Sequence, residues 1–461
     1  MLAPLQVLDQ LKAALTEAVS ALPLAPEQGV VSLLLALPRV PSSLPQLGGP
    51  QFQFRHVQRD EMRAGFGCAA EWRAEGPDRL RRLAAVGRAL SAHWDRADPD
   101  ETGLDAFALF GFAASSEPSP MIEDHLPNAL LWVPEIGVRA CQGEAALVLS
   151  ASRPTTAERL ILRWGEALER LVPALYRPIE GPRMAASLQP EFAEPDAAGW
   201  AELVAAALQD IETGVLQKVV LSRRLDVAGT RCFDVDRLLG ALSCLFPSCQ
   251  VVQLRRNGSS FVAATPERLL SQHGREIEVD AIAGTADRDA DSKIDAALGQ
   301  ALRVSDKNLR EHQFVIDAIR EALASCSTEM DAPAEPQLMQ LSNAQHLWSP
   351  IRARADAGID LFELAERLHP TPATNGQPRH TARGWLQDIE PFERGWYTGA
   401  AGTLDPDLSG ELWVLLRCAR VCGHRAELYA GAGIVKGSDP ATEWDETEAK
   451  LRAILSALQY A

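Results

Sequence analysis

The side chains best spaced for chemistry lie in the stretch from Tyr429 to Lys450, YAGAGIVKGSDPATEWDETEAK. It begins as an apolar strand broken at Gly431 and Gly433. A helix then starts behind Ser438-Asp439-Pro440, a cap residue followed by proline at the first helical position. Within that helix Glu443, Glu446 and Lys450 sit at i, i+3 and i+7, on one narrow stripe. The core stripe is separate: Trp444, Thr447, Leu451, Ile454, Leu455 and Leu458. Two acids and a lysine facing one way form a seat for a cation and an anion together. An exposed ion-pair face is the alternative reading.

Lys218 lies in QKVVLSR, a strand in which Val220 and Ser222 share its face and Val219 and Leu221 line the other. Both faces are mostly apolar, so the strand reads as buried. The lysine either snorkels from the strand end or serves as a general base. An ordinary lysine is neutral only about once in 2,500 at pH 7, so a base needs burial that brings its pKa toward neutrality.

Glu267, in ATPERLL, either caps a turn behind Pro266 or acts as a general acid held protonated by an apolar site. Glu311 shares a helix face with Val315, Ala318, Ile319 and Ala322. A carboxylate on such a face must be paired, protonated or bound to a cation. With Glu443 and Glu446 it would offer an all-oxygen shell, which suits magnesium rather than zinc. His369 opens HPTPATNGQP, a loop fixed by prolines and Gly376, as a turn cap or a site residue. Arg417 is expected mid-strand in LWVLLRCARV, where an arginine needs a carboxylate, from the protein or from a substrate. Gly431-Ala432-Gly433 lacks the third glycine of a dinucleotide loop. Its amides can hold a carboxylate instead.

Periodicity supplies the elements that position these groups. In the first 175 residues Val30–Leu37, Ala106–Ala114, Leu130–Val133 and Ala146–Leu149 read as strands. Asp78–Trp94 and Thr156–Leu175 read as helices. The proline-bearing segment Arg177–Asp196 is the predicted boundary. Beyond it, a helix over Ala198–Thr213 leads into the strand Gln217–Arg223. The helix Asp234–Phe246 precedes a hairpin, Gln250–Leu254 and Phe261–Ala264, turning at Asn257-Gly258. The strand Ile277–Ile282 is followed by a long helix that begins near Ser305-Asp306, carries Glu311 and runs to about Ala324. A short strand near His346, a helix over Leu361–Leu368 and three closing strands, Arg394–Gly402, Leu412–Val421 and Ala426–Val435, complete the reading. Tight turns between adjacent strands imply antiparallel pairing, and the lack of regular βαβ alternation implies α+β.

Composition narrows the function classes. A formal net charge of −17 argues against nucleic acid or an anionic membrane as partner, but leaves room for a small anion in a local basic pocket. The eight cysteines are scattered without a CxxC pair, which disfavours zinc and suits a reducing compartment. The start, MLAPLQVLDQLKAAL, has no basic leader region and reads as an amphipathic helix. No apolar run reaches the roughly 18 residues of a membrane span. The expectation is a cytoplasmic protein.

In their order along the chain, QKVVLSR, ATPERLL, AIAGT (281–285), KNLREHQFVIDAI, HPTPATNGQP, LRCARV and the Tyr429–Lys450 stretch resemble the chorismate-utilising enzymes. That family comprises isochorismate, anthranilate, aminodeoxychorismate and salicylate synthases. The resemblance covers about residues 200–455 and is strongest toward isochorismate synthase. It implies one large α+β unit of two packed antiparallel sheets with helices outside. Residues 1–190 form a scaffold half and 191–461 a chorismate-binding catalytic half.

The resemblance also assigns roles. Lys218 matches the base that activates water for attack at C2 of chorismate, where anthranilate-forming relatives carry glutamine. Glu267 matches the acid that protonates the departing C4 hydroxyl. Glu311, Glu443 and Glu446 match the Mg²⁺-site acids. Arg417, Lys450, Gly431 and Gly433 match the groups that hold the two substrate carboxylates. Gly284 and Thr285 match the loop near the C4 hydroxyl, and His369 and Ala373 fall in a substrate-binding loop. The implied activity is a Mg²⁺-dependent isochorismate synthase feeding menaquinone, siderophore or salicylate synthesis, acting as a monomer or weak dimer without a glutaminase subunit. The alternative is a salicylate synthase that goes on to eliminate pyruvate. A catalytically dead dicarboxylate binder is the reading from another class, and it would need neither Lys218 nor Glu267. Two departures stand out: Thr374 replaces the usual aliphatic residue beside Ala373, and GWYTGAAGTLD lacks a common glycine-proline pair.

Overall fold

The computed structural model describes residues 4–24, 27–41, 44–117, 126–176, 185–342 and 344–461. Residues 177–184 of the predicted boundary segment lie outside that set. The described chain forms two sheets, of 13 and 10 strands. Pairing is antiparallel throughout except between Gly29–Ala36 and Trp94–Ala97, which run parallel and correct the expectation of wholly antiparallel sheets. The parallel pair is reached through a helical crossover, Arg79–Ala92, as parallel strands require.

Both sheets run through both halves of the chain. Gln250–Arg256 pairs with Gln51–His56 in the larger sheet, and Ala400–Leu404 pairs with Ala108–Phe112 in the smaller. The inner faces meet in one apolar cluster, where Phe52, Phe54, Val252 and Phe261 of one sheet join Phe110, Leu131, Val279 and Leu412 of the other. Each such side chain contributes about 1.5–3 kcal/mol by leaving water. Helices close the outer faces. Pro4–Ala18 and Ala157–Leu175 pack under the amino-terminal part of the larger sheet. Val235–Leu245 and Pro440–Leu458 pack under its carboxy-terminal part.

Four expectations change. The long helix expected from Ser305-Asp306 is Asp306–Ala324, and a separate, unexpected helix, Ser292–Val304, precedes it. Ser305 is extended between them and caps Asp306–Ala324 by accepting from the Asn308 amide. The short strand near His346 runs the full length of Ala344–Ala355 beside Glu276–Asp287. The strand expected over Leu412–Val421 is two strands, Gly410–Val414 in the smaller sheet and Cys418–Cys422 in the larger. Arg394–Gly402 shortens in the same way to Ala400–Leu404, with Trp396 to Gly399 as an irregular approach. No helix among the described residues is long and apolar enough to cross a membrane.

Candidate active site

The site sits where the chain passes twice between the sheets. Pro266-Glu267 links Ser259–Thr265 of the larger sheet to Arg268–His273 of the smaller, and Leu415–Arg417 makes the reverse passage. The two passages are tied together. The Val414 amide donates to the Glu267 carbonyl at 3.0 Å and the Ala264 amide to the Arg417 carbonyl at 3.1 Å. Arg417 is therefore not mid-strand, as its apolar flanks suggested. It adopts φ +46, a left-handed turn forced by the change of sheet. A cavity of about 110 Å³ opens there, lined by Glu267, Gly284, Thr285, Glu311, Ala373, Arg417, Gly431, Gly433, Glu446 and Lys450 among others.

Glu267 is buried, and burial pushes its carboxyl up to about 8 against the opposing field of Lys218, with Asp280 adding to the rise. At neutral pH it is an acid with a proton to give. Arg417 is also buried, and no carboxylate among the described residues lies within ion-pair range of it. Its Nη2 donates to His346 Nε2 at 3.0 Å, while Nε and Nη1 have no oxygen acceptor. Burial lowers its pKa. A buried guanidinium with unengaged donors has the chemistry to hold a carboxylate.

Lys218 opens the strand Lys218–Gly229 and is wholly buried, with Nζ donating to Glu311 Oε1 at 2.9 Å. Glu311 reaches it from the helix Asp306–Ala324 because Gly433 leaves the space open. A Cβ at Gly433 would stand 2.6 Å from Glu311 Oε1 and 3.2 Å from Lys218 Cε. Gly433 faces Val220 and Gly431 faces Ser222 across the neighbouring strand. The Val220 and Ser222 amides turn outward, to Asn375 O at 2.8 Å and Glu390 Oε1 at 3.0 Å. By antiparallel geometry the Gly431 and Gly433 amides also point away from that strand, over the cavity. Lys450 Nζ bonds Glu446 Oε1 at 2.7 Å and the Gly431 carbonyl at 2.8 Å.

Gly284 sits in a register shift of the strand Glu276–Asp287 at φ +74, with its carbonyl turned to His346 Nδ1 at 3.2 Å. Arg417 donates to the other ring nitrogen, so the His346 proton belongs on Nδ1. Burial first, then Arg417 and Lys450, lower its pKa to about 3, and the ring is neutral. His346, Tyr397 and Thr398 line the cavity without having been singled out in the sequence. His346 alternates inward in an ordinary-looking strand, and its only signal was an imidazole among apolar neighbours.

Lys218, His369 and Glu443 do not line the cavity, Lys218 standing behind Glu311. His369 lies behind the wall, its Nε2 2.7 Å from the Thr398 carbonyl and its ring edge-on to Phe112. Burial lowers its pKa to about 3, so the expected substrate contact becomes a support for the wall residue Thr398. Glu443 is buried against Lys307, Oε1 to Nζ 2.8 Å, in a bond between helices Pro440–Leu458 and Asp306–Ala324. A larger cavity of about 620 Å³ shares Thr374 and Thr398 with the first, but its Glu390–Arg394 pair is internally satisfied and no lysine lines it.

The profile of the chorismate binding enzymes matches residues 29–459. The chain belongs to the chorismate-binding enzyme family. It is 37% identical over 403 residues to the salicylate biosynthesis isochorismate synthase of Pseudomonas aeruginosa, covering 85% of this chain and 82% of that one. It is 34% identical over 265 residues to isochorismate synthase MenF of Bacillus subtilis, a match spanning 58% of this chain and only 56% of that relative. The solved structure of MenF, the menaquinone-specific isochorismate synthase from Escherichia coli, aligns with a TM-score of 0.79 at 28% identity, over 97% of this chain and 99% of that one.

Membership in this family raises the question of a divalent ion. Among the described residues no three acidic, histidine or cysteine side chains already converge on one point. Each acid is drawn to its own lysine: Glu311 to Lys218, Glu446 to Lys450 and Glu443 to Lys307. The donor chemistry nonetheless fits Mg²⁺. Glu311 and Glu446 both face the cavity, all donors are oxygen, and the missing Cβ of Gly433 leaves Glu311 room.

Proposed function

We propose that this protein is an isochorismate synthase, converting chorismate to isochorismate. The observation that carries this reading is a small cavity lined by a carboxylic acid still protonated at neutral pH and by Glu311, with a buried lysine bonded to Glu311 directly behind it. Water adds at C2 while the ring double bonds shift and the C4–oxygen bond breaks. Lys218, in its neutral amine form, takes the proton from the attacking water, and Glu311 beside it stabilises the ammonium that forms. Glu267 gives its proton to the oxygen leaving C4, which departs as water, so the overall change is an isomerisation. Arg417, Lys450 and the Gly431 and Gly433 amides hold the two carboxylates, and neutral His346 keeps Arg417 and the Gly284 carbonyl in place. Mg²⁺ held by Glu311 and Glu446, with Glu443 behind them, would neutralise and fix the ring carboxylate.

Lys218 in place of glutamine favours water over ammonia, so no glutaminase partner is needed and a monomer or weak dimer suffices. Salicylate synthase is the second reading, favoured by the Thr374 hydroxyl in the cavity wall. That hydroxyl is engaged with the Thr371 carbonyl at 3.4 Å, and its neighbour Ala373 has none, which supports retention of pyruvate. Incubation with chorismate and Mg²⁺ in ammonia-free buffer, with product identification by NMR, tests the proposal. Isochorismate alone is the expected product. Salicylate with pyruvate supports the second reading, and no turnover contradicts both.

A further inference from the structure

Lys307 has no counterpart in the chemistry above, yet it pairs with one site carboxylate and shares a helix face with another. It precedes Glu311 by one helical turn, so the two share a face of Asp306–Ala324. Its Nζ crosses to Glu443 Oε1 at 2.8 Å, and Glu443 precedes Glu446 by three residues on Pro440–Leu458. Glu443 is nearly sealed from solvent, and this ammonium is its ion-pair partner.

We propose that Lys307 is a built-in counter-cation of the carboxylate set, holding the two helices together before a divalent ion arrives and competing with that ion for the acids. The inference rests on the reading of Glu311 and Glu446 as Mg²⁺ ligands. The lysine supplies one fixed positive charge where the metal would supply two. A tethered cation lets the helices close without metal and keeps the metal affinity low, so that the ion is exchangeable. An ordinary surface ion pair would instead join one acid to one base and leave metal affinity untouched.

The test is direct metal binding without substrate. Mn²⁺ is titrated into the full-length protein and free ion is followed by electron paramagnetic resonance, with Mg²⁺ competition to report its affinity. Lys307→Met is expected to bind metal about three- to tenfold more tightly, the size of one partly exposed ion pair. Lys307→Arg keeps the charge and is expected to stay near the wild-type affinity, and thermal melting in chelator shows that both variants fold. Unchanged or weaker binding by Lys307→Met, with the wild type binding normally, overturns this inference alone. If neither protein binds metal, the assignment of the ligands falls and takes the inference with it.

Discussion

Lys218 and Glu311 form a partly buried ion pair of 2.9 Å between the first residue of a strand in the larger sheet and a helix that packs on the smaller one. The pair joins the two halves of the proposed chemistry, because one partner faces the attacking water and the other faces the metal. Replacing Lys218 with Ala is expected to lower kcat by about 10²–10⁴-fold while chorismate binding stays measurable. Calorimetric titration beside steady-state kinetics checks it, and near-normal turnover would remove Lys218 as the base.

Gly433 allows that pair to exist. Gly433→Ala places a methyl 2.6 Å from Glu311 Oε1, so the carboxylate must move. Turnover is expected to fall by roughly tenfold or more, since misplacement of about 1 Å can cost 10²-fold. Gly384→Ala is the control. It sits in open space on the helix Arg379–Ile389, so activity is expected to hold and stability to rise by up to about 1 kcal/mol.

Glu267 sets the alkaline limit. Its carboxyl is held up to about 8 in the folded protein against an ordinary value of 4.5, so kcat/KM is expected to fall as pH rises through about 8. The stability consequence has the same origin. Below pH 4.5 the group is neutral in both states. Between 4.5 and about 8 only the unfolded chain releases the proton, so stability falls by about 1.4 kcal/mol per pH unit. Glu267→Gln is therefore expected to lose turnover and to gain Tm over wild type increasingly across that window. A pH-independent Tm difference would contradict it.

Arg417 is expected to trade stability for binding. Without a paired protein carboxylate, the cost of its burial exceeds what its contacts with His346 and Cys249 return. Arg417→Met should raise the Tm of the unliganded protein, by about 1 kcal/mol or more, and weaken chorismate binding roughly 30-fold or more. Differential scanning calorimetry with and without chorismate separates the two effects. A lower Tm in the unliganded variant would mean that the guanidinium is structurally satisfied.

Glu446→Ala is expected to shift the Mg²⁺ requirement to much higher concentration with a smaller effect at saturating metal. An unchanged metal dependence in initial-rate measurements would remove it from the site.

Much of this architecture was legible because it rests on local periodicity. The stripe Glu443, Glu446, Lys450, the capped start at Asp439-Pro440 and the hairpin at Asn257-Gly258 all appear where spacing and turn chemistry put them. What periodicity could not reveal is where the chain leaves one sheet for the other. LWVLLRCARV is apolar on both sides of the crossing, so one strand and two strands look alike, and Arg417 looked embedded rather than turned. Partnership between distant helices was equally hidden. Lys307 reads as an ordinary surface lysine until Glu443 arrives from 136 residues away. The place of His369 was hidden too, since nothing in its proline-fixed loop showed that its ring would meet the Thr398 carbonyl.

The central claim is that Lys218 delivers water to C2 while Glu267 releases the C4 oxygen. Turnover of unlabelled chorismate in oxygen-18 water, followed by mass spectrometry and NMR of the isochorismate, tests it most directly. The account predicts one solvent-derived oxygen, located at C2, with the C4 oxygen lost to solvent. Isochorismate carrying only unlabelled oxygen would mean that the hydroxyl migrates within the molecule, and the opposed lysine and acid would then have no role in the reaction.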